Sequence, residues 1–201
     1  MKKVFYGLFA TISLLFLSHC SILSPVPADT QSKYILNQLP HATVKSSRRH
    51  ITLLVAQPDA NTFYKTNQMA YSVRPFQIAY FAKNIWLSPP NEMLQPLIVQ
   101  TLQNTHHYHA VIAPGISGHY DYVLNTQIQE LLQDYSSTPG ILRLTVKAEI
   151  IRMANYKVIA TKQFVIRVPI LQTSPYGGVF AANKATAEML HQLTLFSLKN
   201  T

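Results

Sequence analysis

The sequence has little of what covalent or phosphate chemistry needs. Its 201 residues include one cysteine, Cys20, and only six glycines. A single thiol excludes an intrachain disulfide, and the glycines form neither a phosphate-binding loop ahead of a helix nor a Gly-x-Ser-x-Gly nucleophile turn. The eight acidic residues are dispersed, which leaves no carboxylate pair suited to glycoside hydrolysis. We therefore expect that the protein is not an enzyme and has no cofactor.

Charge is also sparse and mostly positive. Charged residues make up 12% of the chain and hydrophobic residues 48%, a balance typical of a folded domain and not of disorder. The net charge of +9 favours an anionic membrane surface or an acidic partner. Apart from the short run at residues 48–50, the basic residues are scattered, so we expect no nucleic-acid binding.

Residues 1–19 have the pattern of a signal peptide. Two lysines precede an apolar stretch at residues 4–17, which is shorter than the roughly 20 residues of a membrane-spanning helix. The stretch ends in Leu-Ser-His-Cys, which resembles a bacterial lipobox, although His19 stands where Gly, Ala or Ser is usual. An ordinary signal peptide with a chance cysteine is the alternative. The position of the single cysteine favours lipidation of Cys20.

Residues 20–33 are predicted to form a lipidated N-terminus and a flexible tether. Two prolines and several small polar residues follow Cys20, as in an extended linker. Several acyl chains, such as the palmitate-type chains of bacterial lipoproteins, hold a protein firmly at a membrane. In that class of protein Ser21 indicates the outer membrane, because Asp at this place tends to retain lipoproteins at the inner one. We expect an anchor on the periplasmic face of the outer membrane.

Residues 34–201 have the length of a single domain. Short strands are predicted at residues 34–36, 69–74 and 77–81. Residues 51–56 are apolar on both faces, which indicates a central strand covered on two sides.

The clearest pattern is a long antiparallel hairpin in the second half of the chain. Apolar and polar residues alternate there, with turns near residues 139–140 and 154–156, so one face of the hairpin should pack on the core and the other should face solvent. The apolar positions are Tyr122, Leu124 and Ile128, then Leu142, Leu144, Val146, Ala148 and Ile150, then Val158, Ala160, Phe164, Ile166 and Val168.

Two helices are predicted to flank the sheet. The first starts at residues 88–91, Ser-Pro-Pro-Asn, and contains Pro96, which predicts either a kink or a later start. The second lies at the end of the chain and carries an apolar stripe at helical spacing. The stripe consists of Ala182, Ala185, Met189, Leu193 and Phe196. The fold class predicted is α/β, one domain with a mixed sheet flanked by helices.

A group of histidines is the one candidate for metal binding. His106, His107 and His109 lie close in sequence, and His119 follows ten residues later. Imidazoles bind zinc and copper, but a structural site needs about four ligands in a fixed geometry. Adjacent histidines point apart on a helix or a strand. We predict no metal site and interpret the group as a polar helix end leading into a strand.

Aromatic residues are frequent between residues 64 and 86. Most are expected to pack in the core or on the sheet, although such side chains also line apolar ligand pockets and anchor interfaces. Trp86 is the strongest candidate for an interface role, because it precedes a Pro-Pro helix start at the edge of an element. We predict a partner-binding site at Tyr80, Trp86, Pro89 and Pro90.

Several motifs occur together in one order. The most specific is Tyr-x(5)-Trp-x-x-Pro-Pro, from Tyr80 to Pro90. Around it stand the lipobox cysteine, Tyr-x-Leu at residues 34–36, Tyr-Asp-Tyr-Val-Leu at 120–124, the long hairpin and Phe-Ala-Ala at 180–182. In this the chain resembles the ABC-type transport auxiliary lipoprotein family, which includes the lipoprotein of the paraquat-inducible system that accompanies MCE-domain (mammalian cell entry) proteins.

The resemblance implies an assembly role rather than catalysis. The protein would dock an MCE-type conduit and an inner-membrane ABC transporter or permease that move lipids or other hydrophobic molecules across the envelope. The implied fold is similar to the N-terminal domain of the Tol-system propeller protein, and a homo-oligomeric ring could cap the conduit. Two alternatives stay open, an independent lipoprotein with a hydrophobic ligand in its own pocket and a metal-dependent hydrolase built on the histidines.

Overall fold

One long strand, β7 (Tyr122–Asp134), organises the sheet of this protein. The computed structural model describes residues 31–42, 44–116 and 118–201. The predicted signal peptide, Cys20 and all but the last residues of the predicted tether lie outside these ranges. The other strands are β1 (Ser32–Tyr34), β2 (Thr52–Val55), β3 (Asp59–Ala60), β4 (Gln68–Ser72), β5 (Ala79–Trp86), β6 (Ala110–Ile112), β8 (Gly140–Arg152) and β9 (Lys157–Ile170).

Strand β7 has neighbours along both of its edges. On one side it pairs in parallel with β2, then β3, then β4, in that order along its length. On the other side it pairs antiparallel with β8 from end to end. Strand β6 extends the sheet beyond β2, while β5 and then β1 extend it beyond β4. The mixed sheet predicted for the domain is confirmed.

The predicted hairpin is part of a three-stranded antiparallel meander, β7-β8-β9. The five predicted core positions of β8, from Leu142 to Ile150, are all buried. In β9 the alternation holds for Phe164, Ile166 and Val168. The prediction that Val158 packs on the core was wrong. Val158 is half exposed, because the register between β8 and β9 shifts at this end of the strand. The apolar face of the meander therefore carries the core, as the alternation predicts.

Both predicted helices are present. Helix α1 (Pro90–Gln103) packs against β2 and β6, and helix α2 (Pro175–Asn200) packs against β8 and β9. The stripe predicted on α2 is buried at all five positions. The Ser174 hydroxyl caps α2 by accepting a hydrogen bond from the backbone N–H of Gly177, at 3.0 Å. A Cβ at Gly178 would overlap the buried amide of Gln133, so glycine lets the first turn of α2 approach β7 closely.

Two sequence predictions at element ends differ from the structure. The first strand covers Ser32–Tyr34, whereas residues 34–36 were predicted, and Leu36 instead packs in the core beyond the strand. Helix α1 begins at Pro90 and continues through Pro96, so a start after Pro96 was wrong. Pro96 is exposed, and its ring therefore lies on the side of α1 away from the core.

Candidate functional site

The predicted binding element, Tyr80 to Pro90, runs along β5 into the start of α1. Tyr80 is half buried against the core, and its hydroxyl donates a hydrogen bond to the Phe63 carbonyl at 3.1 Å. That bond ties β5 to the short 3-10 turn Thr62–Tyr64. The Tyr80 side chain is partly accessible at the surface.

Trp86 lies inside the core and not on the surface. Its side chain is 3% exposed, and its backbone N–H donates to the Asn67 carbonyl at 2.7 Å. A partner therefore cannot contact the indole in this conformation. The accessible side chain beside it is Leu87, which is 55% exposed. The partner-binding role assigned to Trp86 stays a prediction, and burial indicates that Trp86 would act by positioning its neighbours.

The two prolines form the start of α1. Pro89 stands before the first turn with extended backbone angles, and Pro90 occupies the first turn, where its missing N–H would have no helical partner. Pro90 is buried and Pro89 is half buried. The Pro89 carbonyl accepts the N–H of Glu92 at 2.9 Å. The Pro-Pro pair therefore fixes where β5 ends and how α1 leaves it.

An apolar groove lies beside β1, which has β5 as its neighbour in the described part of the sheet. We name it the β1 groove. It has a volume of about 480 Å³ and lies between residues 33–38 and the first turns of α2. Its exposed apolar side chains are Ile35, Tyr176 and Phe180, with exposed fractions of 44%, 59% and 63%. Leu87 adjoins it, because its N–H donates to the Tyr34 carbonyl at 2.7 Å.

Asn183 holds the wall of the β1 groove in place. Its Nδ2 donates to the Ile35 carbonyl at 3.0 Å. Its Oδ1 accepts the backbone N–H groups of Asn37 at 2.9 Å and Gln38 at 3.2 Å. The Tyr34 and Tyr176 rings also approach each other, with centroids 6.3 Å apart. The chain after β1 is thus fastened to α2, and the groove is formed before any partner arrives.

The β1 groove was not predicted from the sequence. A signal for it exists, because Tyr176 and Phe180 are four residues apart on α2 and fall outside the buried stripe that begins at Ala182. Residues at this spacing lie side by side on one helix face. An aromatic pair on the face away from the core indicates a contact surface.

The histidines do not come together as a site. His107 is buried, whereas His106, His109 and His119 are exposed. His119 lies 3.7 Å from an oxygen of Asp121 instead. Among residues 31–42, 44–116 and 118–201 there is no group of three or more His, Cys, Asp or Glu side chains that could hold a metal ion. The geometry gives no support to a hydrolase built on these residues.

Buried side chains from the sheet and both helices form one continuous core. Besides the β1 groove, a groove of about 470 Å³ lies between residues 38–42, β9 and α2, and another of about 470 Å³ lies at the start of β7. All three are open to solvent. None of the helices in the described ranges is long and apolar enough to cross a membrane.

Comparison with known proteins identifies relatives of this fold. A model of the family described as ABC-type transport auxiliary lipoprotein component matches residues 34–194. None of the curated proteins compared with the chain matches it.

Three solved structures show the same fold. Protein XCC0632 from Xanthomonas campestris superposes with a TM-score of 0.74 at 18% identity, covering 85% of this chain and 96% of that one. A protein described as uncharacterised gives 0.67 at 15% identity, covering 84% and 99%. The hypothetical protein CT253 from Chlamydia trachomatis gives 0.52 at 7% identity, covering 76% and 98%.

Proposed function

The chain belongs to the family of ABC-type transport auxiliary lipoprotein components, and we propose that within such a system it is the docking and assembly component of an MCE-type conduit. It would join the conduit to the inner-membrane transporter or permease subunits that drive the movement of lipids or other hydrophobic molecules. The family match carries this proposal. An auxiliary role in transport needs a surface for partners and no catalytic centre.

The anchor of the proposed component is Cys20. Acylation there, with palmitate-type chains, would hold the protein at the periplasmic face of the outer membrane. The 11 residues from Ser21 to Gln31 can extend to roughly 40 Å at most. This tether lets the domain reach a partner while it remains attached to the membrane.

The β1 groove is the surface that we assign to the partner. It places three exposed apolar side chains, Ile35, Tyr176 and Phe180, around a preformed depression. Exposed aromatic side chains beside a pocket are the usual anchors of protein interfaces. Next to it, β1 is an edge strand of the described sheet, so an extended segment of the conduit could pair with its free backbone groups. The Tol-like fold and a homo-oligomeric ring remain parts of this proposal.

The Tyr80–Pro90 element is connected to the groove through the pairing of β5 with β1. Trp86 ends β5 in the core, directly beside Tyr34 of β1 in the register of the sheet. The packing of Trp86 in the core would fix the position of β1 in the sheet, and with it the position of Ile35, which follows β1 directly. Tyr80 and Pro89 remain partly accessible and extend the proposed contact surface along β5, while Pro90 is a buried support.

An independent ligand-binding lipoprotein is the alternative. It would need an enclosed apolar cavity of several hundred Å³. The grooves described above are open to solvent, and the buried side chains of the described ranges pack into one core. An open groove with exposed aromatic side chains fits a protein partner better than an enclosed lipid. This contrast favours docking.

The test is recovery of partners with the full-length protein from crosslinked membranes, read by mass spectrometry. Phe180→Ser should reduce the recovery of MCE-domain and transporter subunits about tenfold, because truncating an interface anchor commonly costs about 1–2 kcal/mol of binding. The matched control is Leu195→Ser on the same helix, where the side chain is 47% exposed but lies away from the β1 groove. It should leave recovery unchanged.

Both variants must be present at wild-type levels with unaltered thermal unfolding. Equal recovery with Phe180→Ser and the wild type would remove the β1 groove from the proposal. Recovery of no transport component with the wild-type protein would overturn the docking function itself and favour the ligand-binding alternative.

A further inference from the structure

A second apolar surface lies at the end of the domain where three loops meet. We name it the tip surface. It consists of Val73, Phe76 and Ile78 in the hairpin between β4 and β5, and Leu171 in the loop between β9 and α2. Phe76 is fully exposed and Leu171 is 88% exposed. Val73 and Ile78 are about half exposed. Large apolar side chains in this position lose contact with water only if something covers them.

Hydrogen bonds bring the three loops together. Tyr135, in the turn between β7 and β8, donates its backbone N–H to the Ser72 carbonyl at 2.8 Å. Its hydroxyl donates to the Ser174 carbonyl at 2.9 Å. Ser72 ends β4 and Ser174 precedes α2, so the β4–β5 hairpin, the β7–β8 turn and the β9–α2 loop share one end of the molecule.

These three loops contain almost no charged side chains. Residues 73–78, 135–139 and 171–174 contain one charged side chain, Arg74, and no acidic one. Serine, threonine and glutamine supply most of their remaining polar groups. Exposed apolar side chains beside the single basic residue Arg74 suit a membrane interface. At such an interface apolar groups enter the boundary of the acyl chains and basic groups approach anionic headgroups.

Phe76 also has an unusual backbone conformation. Its φ is 64°, in the left-handed region that bulky residues seldom adopt. An aromatic side chain that is fully exposed at such a position gains no packing within the domain to offset this conformation. The exposure of Phe76 is therefore not compensated by contacts inside the domain.

The N-terminal end of β1 points toward the hairpin between β4 and β5. Strand β1 runs parallel to β5, and Ser32 pairs with Asn84. Gln31 donates a side-chain hydrogen bond to the Ala82 carbonyl at 3.1 Å. Strand β5 starts at Ala79, directly after the hairpin, so the chain reaches β1 from the hairpin side.

From these observations we propose that the tip surface inserts into the headgroup region of a phospholipid membrane containing anionic lipid. The insertion would orient the domain on the membrane that holds its lipid anchor. The occupant is the bilayer itself, because the surface combines exposed apolar side chains with a single basic side chain and no acidic side chain in its loops. This inference goes beyond the docking role and uses a surface distinct from the β1 groove.

A fluorescence experiment tests the insertion. The full-length lipidated protein carrying Phe76→Trp is reconstituted on vesicles of phosphatidylethanolamine and phosphatidylglycerol, with brominated or unbrominated acyl chains. The bromines should quench the new tryptophan about twofold or more, because interfacial groups reach roughly 5–10 Å into the boundary. Trp86 is buried and contributes the same background to every variant, which the wild-type protein measures.

The matched control is Tyr156→Trp. Tyr156 is an exposed aromatic residue in a hairpin turn, with a φ of 55°, and it lies at the opposite end of β8, about 40 Å away by strand length. Its tryptophan should not be quenched. Arg74→Glu added to Phe76→Trp should weaken the quenching, because a carboxylate is repelled by phosphatidylglycerol.

Two results would overturn the proposal. Quenching of the tryptophan at position 76 no stronger than at position 156 would show that the tip surface does not enter the bilayer. A blue-shifted emission at position 76 that is equal on brominated and unbrominated vesicles would show that protein, such as a second copy, covers it. Retention of the protein on the vesicles reports the lipid anchor separately.

Discussion

His107 lies in the segment between helix α1 and strand β6. The side chain is buried between polar and aromatic groups. Its Nδ1 lies 3.0 Å from the Ser46 hydroxyl, and its ring meets the Tyr108 ring edge to face at 5.0 Å. Burial lowers the pKa of His107 below its ordinary value of 6.5, against the opposing effect of a backbone hydrogen bond with Ser47, and the charge of Arg49 lowers it further.

The lowered pKa makes stability depend on pH. In the unfolded chain His107 takes up a proton as the pH falls through 6.5, whereas in the folded protein it does so only at lower pH. Stability is therefore full above pH 6.5 and is lost as the pH falls from there toward the folded-state pKa. We expect His107→Gln to flatten the stability curve in this window, measured by urea unfolding at several pH values.

The unfolding free energies of the wild type and His107→Gln are compared at each pH. Above about pH 7.5 the histidine is neutral in both states, so the wild-type and variant curves should run parallel. A wild-type slope below pH 6.5 that is unchanged by the substitution would contradict the assignment to His107.

Individual side-chain roles were the part least predictable from sequence. The spacing of Tyr80, Trp86, Pro89 and Pro90 located a real junction, the end of β5 and the start of α1. It did not predict that Trp86 would be in the core. Burial at the end of a strand depends on what the neighbouring strand and helix cover, and these contacts come from residues far away in sequence. The exposure of Phe180, which directly precedes the buried stripe of α2, likewise depends on contacts with residues far away in sequence.

At the scale of elements, the meander and the two helices could be predicted because their signals are local. Strict alternation over β8 and a stripe at three- and four-residue spacing on α2 each repeat many times in succession. Strand β3 was not predicted. Its two residues, Asp59 and Ala60, form a strand only because they lie along β7, and no periodicity exists over so short a length.

Pro96 shows how tertiary packing outweighs local preference within α1. The residue lacks the N–H that would bond to the carbonyl of Glu92 one turn earlier. The helix nevertheless continues, because Met93, Leu94, Leu97 and Ile98 on both sides of it are buried against the sheet. Packing of this face therefore compensates for the missing backbone hydrogen bond.

Replacement of Pro96 should therefore stabilise the protein. Pro96 is exposed, so Pro96→Ala restores the hydrogen bond without removing core contacts, and we expect a gain of about 1–3 kcal/mol in unfolding free energy. The measurement is denaturant unfolding. Gln100→Ala, at another exposed position of the same helix, is the control and should change stability little. A loss of stability with Pro96→Ala would mean that the proline ring makes contacts that the helix needs.

At the scale of the whole molecule, the anchor and the domain rest on different kinds of sequence signal. The domain follows from hydrophobic periodicity, and the structure bears out its class. The anchor is a prediction from a short address motif at residues 17–20, which lies outside the described residues. Such motifs are read by processing enzymes and leave no trace in packing.

Metabolic labelling with a palmitate analogue tests the anchor. We expect the wild-type protein to incorporate the label and Cys20→Ser to incorporate none, because the chain has no other cysteine. His19→Gly brings the motif closer to the usual lipobox and should be labelled at least as strongly as the wild type. Labelling of Cys20→Ser equal to that of the wild type would place the acyl chain elsewhere.

The shared strand β7 also determines when this protein can fold. Strand β7 joins β2, β3 and β4 into one sheet, and the hydrogen bond from the Thr52 N–H to the Asp121 carboxylate beside it spans 69 residues. Contacts so distant in sequence form slowly, since the intervening chain must first be closed into a loop. Within the first half of the domain, the strands can pair only as two separate groups, β2 with β6 and β1 with β5 and β4, until β7 joins them. On the export route proposed above, the chain would enter the periplasm before this sheet is complete, and we expect a periplasmic chaperone to protect it from aggregation during that interval.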